Sequence, residues 1–343
     1  MSSVHLWIRE ESRPTEQRVP IVPEDAALLV AEGVRVTVER SQRRAYRDEE
    51  FAAAGCELAD PGSWVAAPED AYIVGIKELP PEPEPLHHHH IFFAHAYKGQ
   101  EGAERLLHRF RSGGGELLDV EYLTVDGRRV VAFGYWAGYV GAALGALAWQ
   151  DALRPPLQPT TQQDLDDRIA AGSPGRAVVI GAGGRSGRGS VAALTAAGWE
   201  VTQWDRRQTQ PLDRPALLDH DLLVNCVMTK TSTPPFLTHE DLAGDEHRLR
   251  VVADVTCDVT SEHNLLPVNT AITTWELPVR RVHQGQHPVD VIAIDNLPSL
   301  LPREASRSFS AELIPLVRDL PARRGPWAAA KEAFSSALGA LRH

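Results

Sequence analysis

Residues 178–187 read VVIGAGGRSG, and the next apolar run ends in Asp205, 24 residues after Gly181. An apolar strand, a glycine turn and a helix in that order form a β–α unit. Its backbone N–H groups can approach a pyrophosphate at the helix N-terminus. Gly181 and Gly183 begin a G-x-G-x-x-G pattern, but position 186 is serine; Gly181, Gly184 and Gly187 instead form G-x-x-G-x-x-G. Gly181, Gly183, Gly184, Arg185, Ser186 and Gly187 are therefore candidate dinucleotide contacts. Asp205 falls where a carboxylate accepts hydrogen bonds from the adenosine ribose. Its charge would repel a 2′-phosphate, so NAD is expected rather than NADP, although Arg206 and Arg207 follow and could recruit that phosphate.

The rest of the chain extends this alternation. Strands are expected over 4–10, 34–40, 71–76, 91–96, 115–123 and 128–134, with helices over 23–33 and 101–114. A second series follows a polar, proline-rich connection at 153–176: strand, helix and strand over 177–205, then strands over 221–227, 250–256, 271–275 and 289–295. Segment 133–149, FGYWAGYVGAALGALAW, is slightly short for a bilayer span and rich in glycine and alanine, which favours a closely packed buried helix. At 343 residues the chain is too long for one ordinary core. The expected fold class is α/β: two Rossmann-like domains with parallel sheets and an interdomain active-site cleft. The helical tail is expected to pack back on the first domain. That gives a discontinuous catalytic domain, 1–133 plus 296–343, and a dinucleotide domain, 134–295.

A formal charge of −11 argues against a nucleic-acid surface, which needs clustered Lys and Arg. Cys56, Cys226 and Cys257 are far apart and form no CxxC pair, as suits a reducing cytoplasm. The charged N-terminal stretch does not read as a signal peptide.

The chain has four lysines: Lys77, Lys98, Lys230 and Lys331. Where arginine serves every ordinary cation, lysine persists best where an amine must lose a proton. Lys77 lies shortly before HHHHIFFAHAYKG (87–99), and Lys98 lies within it. The tetrahistidine run is internal, so it is not a vector tag. Adjacent side chains on a strand point to opposite faces, and no Cys or acidic cluster with zinc spacing accompanies them. No metal is expected, and the run reads as a solvated strand entry. Ligands of open α/β sheets sit beyond the carboxyl ends of strands. Lys77 and His95 end neighbouring predicted strands there, an amine and an imidazole suited to proton transfer.

The strings ESRPTEQRVPIVPEDAALLVAEG, GIKELP, HIFFAHAYKGQ, LLDVEYL, GRRVVAFGYWAGYVGAALG and IDNLPSLLPREAS resemble the NAD-dependent, lysine-forming saccharopine dehydrogenases, within the alanine dehydrogenase and transhydrogenase superfamily. The resemblance runs from Leu6 to about Leu320. It implies oxidative cleavage of saccharopine to lysine and 2-oxoglutarate with NAD. It further implies Lys77 as base for the secondary amine and His95 as the acid–base group that activates water. Glu78 and Glu121 would set the charge of that pair. Arg18, Lys98 and Arg129 would meet substrate carboxylates, and Asp295 would lie near the nicotinamide. The partners implied are small amino acids and 2-oxo acids, with no membrane, for a chain acting as a monomer. Departures from the family are Ser186 in place of its cysteine, Asn296 in place of its histidine, and a shorter connection before the cofactor strand. Alanine dehydrogenase, another amino-acid or opine dehydrogenase of the same superfamily, and a non-catalytic NAD(H)-binding protein are the competing readings.

Overall fold

The structure is a computed structural model that describes residues 4–100, 102–244 and 246–341. The chain divides into two compact units, Met1–Ala132 with Pro302–His343, and Phe133–Leu301. Each is described by itself.

The first unit holds the strands β1 (His5–Ile8), β2 (Arg35–Glu39), β3 (Glu57–Ala59), β4 (Tyr72–Val74), β5 (His89–Phe92) and β6 (Glu116–Asp119). They form one parallel sheet in the order β3-β2-β1-β4-β5-β6. The order reverses between β1 and β4, and such a switch point opens a crevice at the carboxyl ends. Helices α1 (Pro23–Ala31), α2 (Asp48–Ala53) and α3 (Ala103–Gly113) make the crossovers. Proline at its first position starts α1, and Gly33 past its end takes φ +86°, a conformation open to glycine. A two-stranded ribbon, β7 (Thr124–Val125) with β8 (Arg128–Arg129), follows β6. The strand expected over 128–134 is thus cut to Arg128–Arg129, because the chain turns directly into the next helix.

The second unit opens with α4 (Gly134–Trp149), which is apolar around its circumference and buried along most of its length. Glycine makes its packing possible: a Cβ on Gly138 would lie 1.8 Å from the Ser186 carbonyl oxygen. Helix α5 (Gln162–Ala170) leads to strand β9 (Arg176–Ile180) and helix α6 (Arg185–Ala196), which packs against α4. Strand β10 (Glu200–Trp204), short helices α7 (Arg206–Thr209) and α8 (Arg214–Leu218), β11 (Leu222–Asn225), α9 (His239–Leu242), β12 (Val251–Asp254), β13 (Arg280–His283) and β14 (Val289–Ile292) complete it. The sheet order is β10-β9-β11-β12-β14-β13, parallel except for the edge strand β13. Edge strand β13 has no counterpart in the sequence reading. Segment 271–275, expected as a strand, makes a single bridge, Thr273 to Ile294. The chain then returns to the first unit through α10 (Pro302–Leu313) and α11 (Pro326–Ala340).

The tetrahistidine run is not a solvated entry. His89 and His90 belong to β5, and His88 and His90 are buried. Strand alternation sends His90 into the core among Trp64, Phe92 and Phe110. The opposite face presents His89, stacked on Tyr72 and within 3.1 Å of Glu116. Strand alternation buries every second ring of the run, His88 and His90.

Candidate active site

In the first unit, four strands of the sheet deliver side chains at their carboxyl ends. Beyond β1 come Arg9, Glu11, Glu16 and Arg18, all buried. Beyond β4, the Lys77 peptide is held on both sides. Glu11 accepts the backbone N–H of Ile76 at 2.6 Å and of Lys77 at 3.0 Å. Arg9 donates to the Lys77 carbonyl oxygen. Arg9 fits only because position 75 is glycine, where a Cβ would lie 2.6 Å from its Nε. Burial raises the Glu11 carboxyl, and Arg9 and the two amides pull against it.

Arg18 and Glu16 form a buried, two-pronged pair, with Nε to Oε1 at 2.8 Å and Nη2 to Oε2 at 2.6 Å. Burial pushes Glu16 up, but Arg18 outweighs it and Lys77 adds to Arg18, so the carboxyl lies below its ordinary value. The sequence reading placed Arg18 on a substrate carboxylate. The structure places its Nε and Nη2 on Glu16. Glu78 is half exposed and paired with Arg13. Burial works against ionisation of Glu78, and Arg13 followed by Lys77 overcomes it.

Beyond β5 and β6 lies a second cluster. His95 has φ +49°, a left-handed conformation uncommon outside glycine, and its ring stacks on Phe93. Its Nδ1 is 3.6 Å from Glu121 Oε2, an ion-pair distance. Lys98 Nζ donates to Glu121 Oε1 at 2.5 Å, and Arg129, on β8, donates to the same oxygen. Glu121 is nearly buried, while its three cationic or titratable neighbours are each about half exposed. His95 first, then Lys98 and Arg129, overcome burial and lower Glu121 to about 2. The structure thus brings together His95, Lys98, Glu121 and Arg129 in one group, and sets Lys77 beside Glu11 and Glu16 in another. Arg9, Glu11 and Glu16 were missed by the sequence reading. The signal was the density of charge in REESRPTEQR just after an apolar strand.

In the second unit, the glycine turn stands at the switch point between β9 and β11. Gly181 takes φ +83°, and its carbonyl oxygen lies 2.1 Å from where a Gly187 Cβ would be, so the turn closes only without side chains. A Cβ on Gly183 would meet nothing within 4 Å, so the backbone there is open to a ligand. Arg185 begins α6, and Ser186 lies against Gly134 and Gly138 of α4. The turn opens on a cavity of about 500 Å³ lined by Gly181, Gly183, Gly184, Asp205, Thr229 and Thr231, among others. A volume of that order suits a nucleotide portion. Asp205 caps α7, its Oδ1 accepting the Arg207 N–H at 2.7 Å. Arg206 joins the cavity wall. Asp295 is exposed in the turn after β14 and is not part of that wall. Among the described residues no group of His, Cys, Asp and Glu is arranged to hold a metal ion.

Residues 7–140 match the family described as alanine dehydrogenase/PNT, N-terminal domain. The fold is shared with an L-alanine dehydrogenase at a TM-score of 0.69 and 17% identity, covering 97% of this chain and 94% of that one. It is shared too with a transhydrogenase from Sinorhizobium meliloti, at a TM-score of 0.68 and 16% identity, covering 95% and 97%. A glycine turn on one sheet and a first unit of this type define the fold class: two parallel-sheet units, as in alanine dehydrogenase and transhydrogenase. Sequence likeness narrows it. The chain is 41% identical over 374 aligned residues to the NAD(+), L-lysine-forming saccharopine dehydrogenase of Emericella nidulans, covering 99% of each. It is 40% identical to that of Schizosaccharomyces pombe, covering 92% of each. This chain belongs to the lysine-forming saccharopine dehydrogenase family.

Proposed function

We infer that this protein is an NAD-dependent oxidoreductase acting on the CH–NH bond of saccharopine, releasing lysine and 2-oxoglutarate and running the reverse condensation. The observation that carries the reading is the placement of an amine, Lys77, and an imidazole, His95, beyond the adjacent strands β4 and β5, in a chain similar over its full length to enzymes named for that reaction.

The cavity beside Gly183 fits the cofactor: an open backbone turn, a helix N-terminus and a carboxylate, Asp205, in its lining. Gly181, Gly183, Gly184, Arg185, Ser186 and Gly187 would hold its phosphates and Asp205 its ribose. NAD, when bound, accepts the hydride from the carbon next to the substrate nitrogen. The protein's own task is to move protons. A protonated nitrogen has no lone pair to give to the forming C=N bond, so Lys77 takes that proton first. Glu16 and Glu11 hold the lysine where it can do so. Once the imine has formed, His95 draws a proton from water as it adds to the imine carbon, then returns one to the departing amine. Each proton transfer contributes about 10²- to 10⁴-fold. Arg18, Lys98 and Arg129 bind substrate carboxylates, Arg18 while also holding Glu16 in place, and Glu78 and Glu121 tune the charge around the two proton carriers. Asp295 is assigned to the nicotinamide end.

The substrates are small molecules. None of the described helices is long and apolar enough to cross a membrane. The working form in this reading is a cytoplasmic monomer with reduced cysteines, and gel filtration tests the first part of that. An NADH-oxidation screen tests the function. 2-Oxoglutarate, pyruvate and glyoxylate are each offered with lysine, ornithine or ammonia. The expected result is a clear preference for 2-oxoglutarate with lysine. A preference for pyruvate with ammonia would instead make this an alanine dehydrogenase.

A further inference from the structure

Asp119 ends β6 with no exposed surface. Its Oδ1 accepts the Glu121 backbone N–H at 2.9 Å and so starts the 3-10 turn Val120–Tyr122. Across the ladder its register partner is Phe92, and the Ala94 amide, one residue before His95, also favours its charged form. One buried carboxyl therefore joins the segment that carries His95 to the turn that carries Glu121. Its Oδ2 accepts no hydrogen bond from the described residues, and neither does the buried hydroxyl of nearby Tyr97 find a partner among them.

Two carboxyls two residues apart are driven in opposite directions. Glu121 is lowered to about 2. Burial raises Asp119 to about 6; the Glu121 amide resists this, and the Glu121 charge reinforces it. The other groups facing Asp119 are His95 and Tyr97 after β5 and Tyr122 on the turn. Lys98 and Arg129 act on it through Glu121. Helix α11, packed on β6, carries Lys331 and Glu332, both exposed. Glu116, at the other end of β6, is engaged by Arg323 and His89.

We propose that Asp119 is a positioning residue for the proton chemistry: its buried carboxyl, bonded to the Glu121 amide, fixes the turn that presents Glu121 to His95. The proposal rests on the reading of His95 as the acid–base group.

Asp119→Ala removes the acceptor for the Glu121 amide, whereas Asp119→Asn keeps an oxygen for it. In the full chain without substrates, Asp119→Ala should displace the His95 ring resonances in NMR spectra, and Asp119→Asn should leave them close to those of the wild type. With substrates, Asp119→Ala should lower kcat at least about tenfold with the KM for NAD unchanged, and Asp119→Asn should recover most of that loss. Wild-type His95 resonances and kcat in a folded Ala variant overturn the proposal. If the Ala variant does not fold, an Asn variant that folds but loses the wild-type His95 resonances overturns it as well. If the resonances move as expected but the wild type oxidises no saccharopine, the positioning stands and the functional reading fails.

Discussion

The two sheets have almost the same construction, yet their carboxyl ends are furnished in opposite ways. In the first unit the strand ends carry charged side chains that hold one another: Glu11 and Arg9 around the Lys77 peptide, Arg18 on Glu16, Glu121 among His95, Lys98 and Arg129. In the second the corresponding place is backbone, with Gly181, Gly183 and Gly187 leaving room for a ligand to touch the main chain. In the proposed function one sheet end shifts protons and the other receives a large anion. The same fold does both, because the chemistry resides in the few residues after each strand.

This contrast can be broken from either side. The largest effect is expected from Lys77→Met, which should cut turnover by about 10²-fold or more while NADH titrates by fluorescence as in the wild type. Equal loss of NADH binding would erase the distinction between the two ends. Next, Glu16→Gln leaves Arg18 buried against a neutral partner. Breaking such a pair costs about 3–5 kcal/mol, to be read by denaturant unfolding. Gly187→Ala should weaken NADH binding about tenfold or more through its clash with the Gly181 carbonyl, whereas Gly183→Ala should leave the turn folded. A smaller effect separates the two carboxyls of the first unit. Asp119 is raised from 3.8 to about 6, so its contribution to stability is full below pH 3.8 and is lost as pH rises through about 6. Asp119→Asn should therefore gain about 1 kcal/mol on the wild type at pH 8. Glu121 is depressed from 4.5 to about 2, so its contribution is present above pH 4.5 and lost as pH falls towards 2. Glu121→Gln should flatten the acid arm of the stability curve, lowering stability above pH 4.5 and leaving it unchanged near pH 2.

The second sheet was the more legible of the two from residues alone. The glycine turn and Asp205 occupy one contiguous stretch, and local backbone needs are written in local sequence. The long crossovers of the first sheet were also readable, because apolar runs bounded by glycine and proline mark the strands. Three things were not. Segment 271–275 looks like a strand by β-branched content, but pairing is decided by neighbours distant in the chain, and only Thr273 finds one. Arg18 reads as a free cation until Glu16, two residues earlier, is seen to fold onto it. Asp119 sits in LLDVEYL like any strand-end acid, and only its complete burial separates its behaviour from that of Glu121.

The buried rings of the histidine run have a practical outcome. His90 is wholly enclosed among aromatic side chains, and burial followed by the charge of Arg9 holds its imidazole well below the ordinary 6.5. Mild acid then has a specific route to damage: once the medium is sour enough to protonate this ring in the unfolded chain but not in the folded one, the equilibrium tilts towards opening of the first sheet. The same geometry means that four consecutive histidines, which on paper look like a purification handle, would give a folded molecule little grip on an immobilised nickel column.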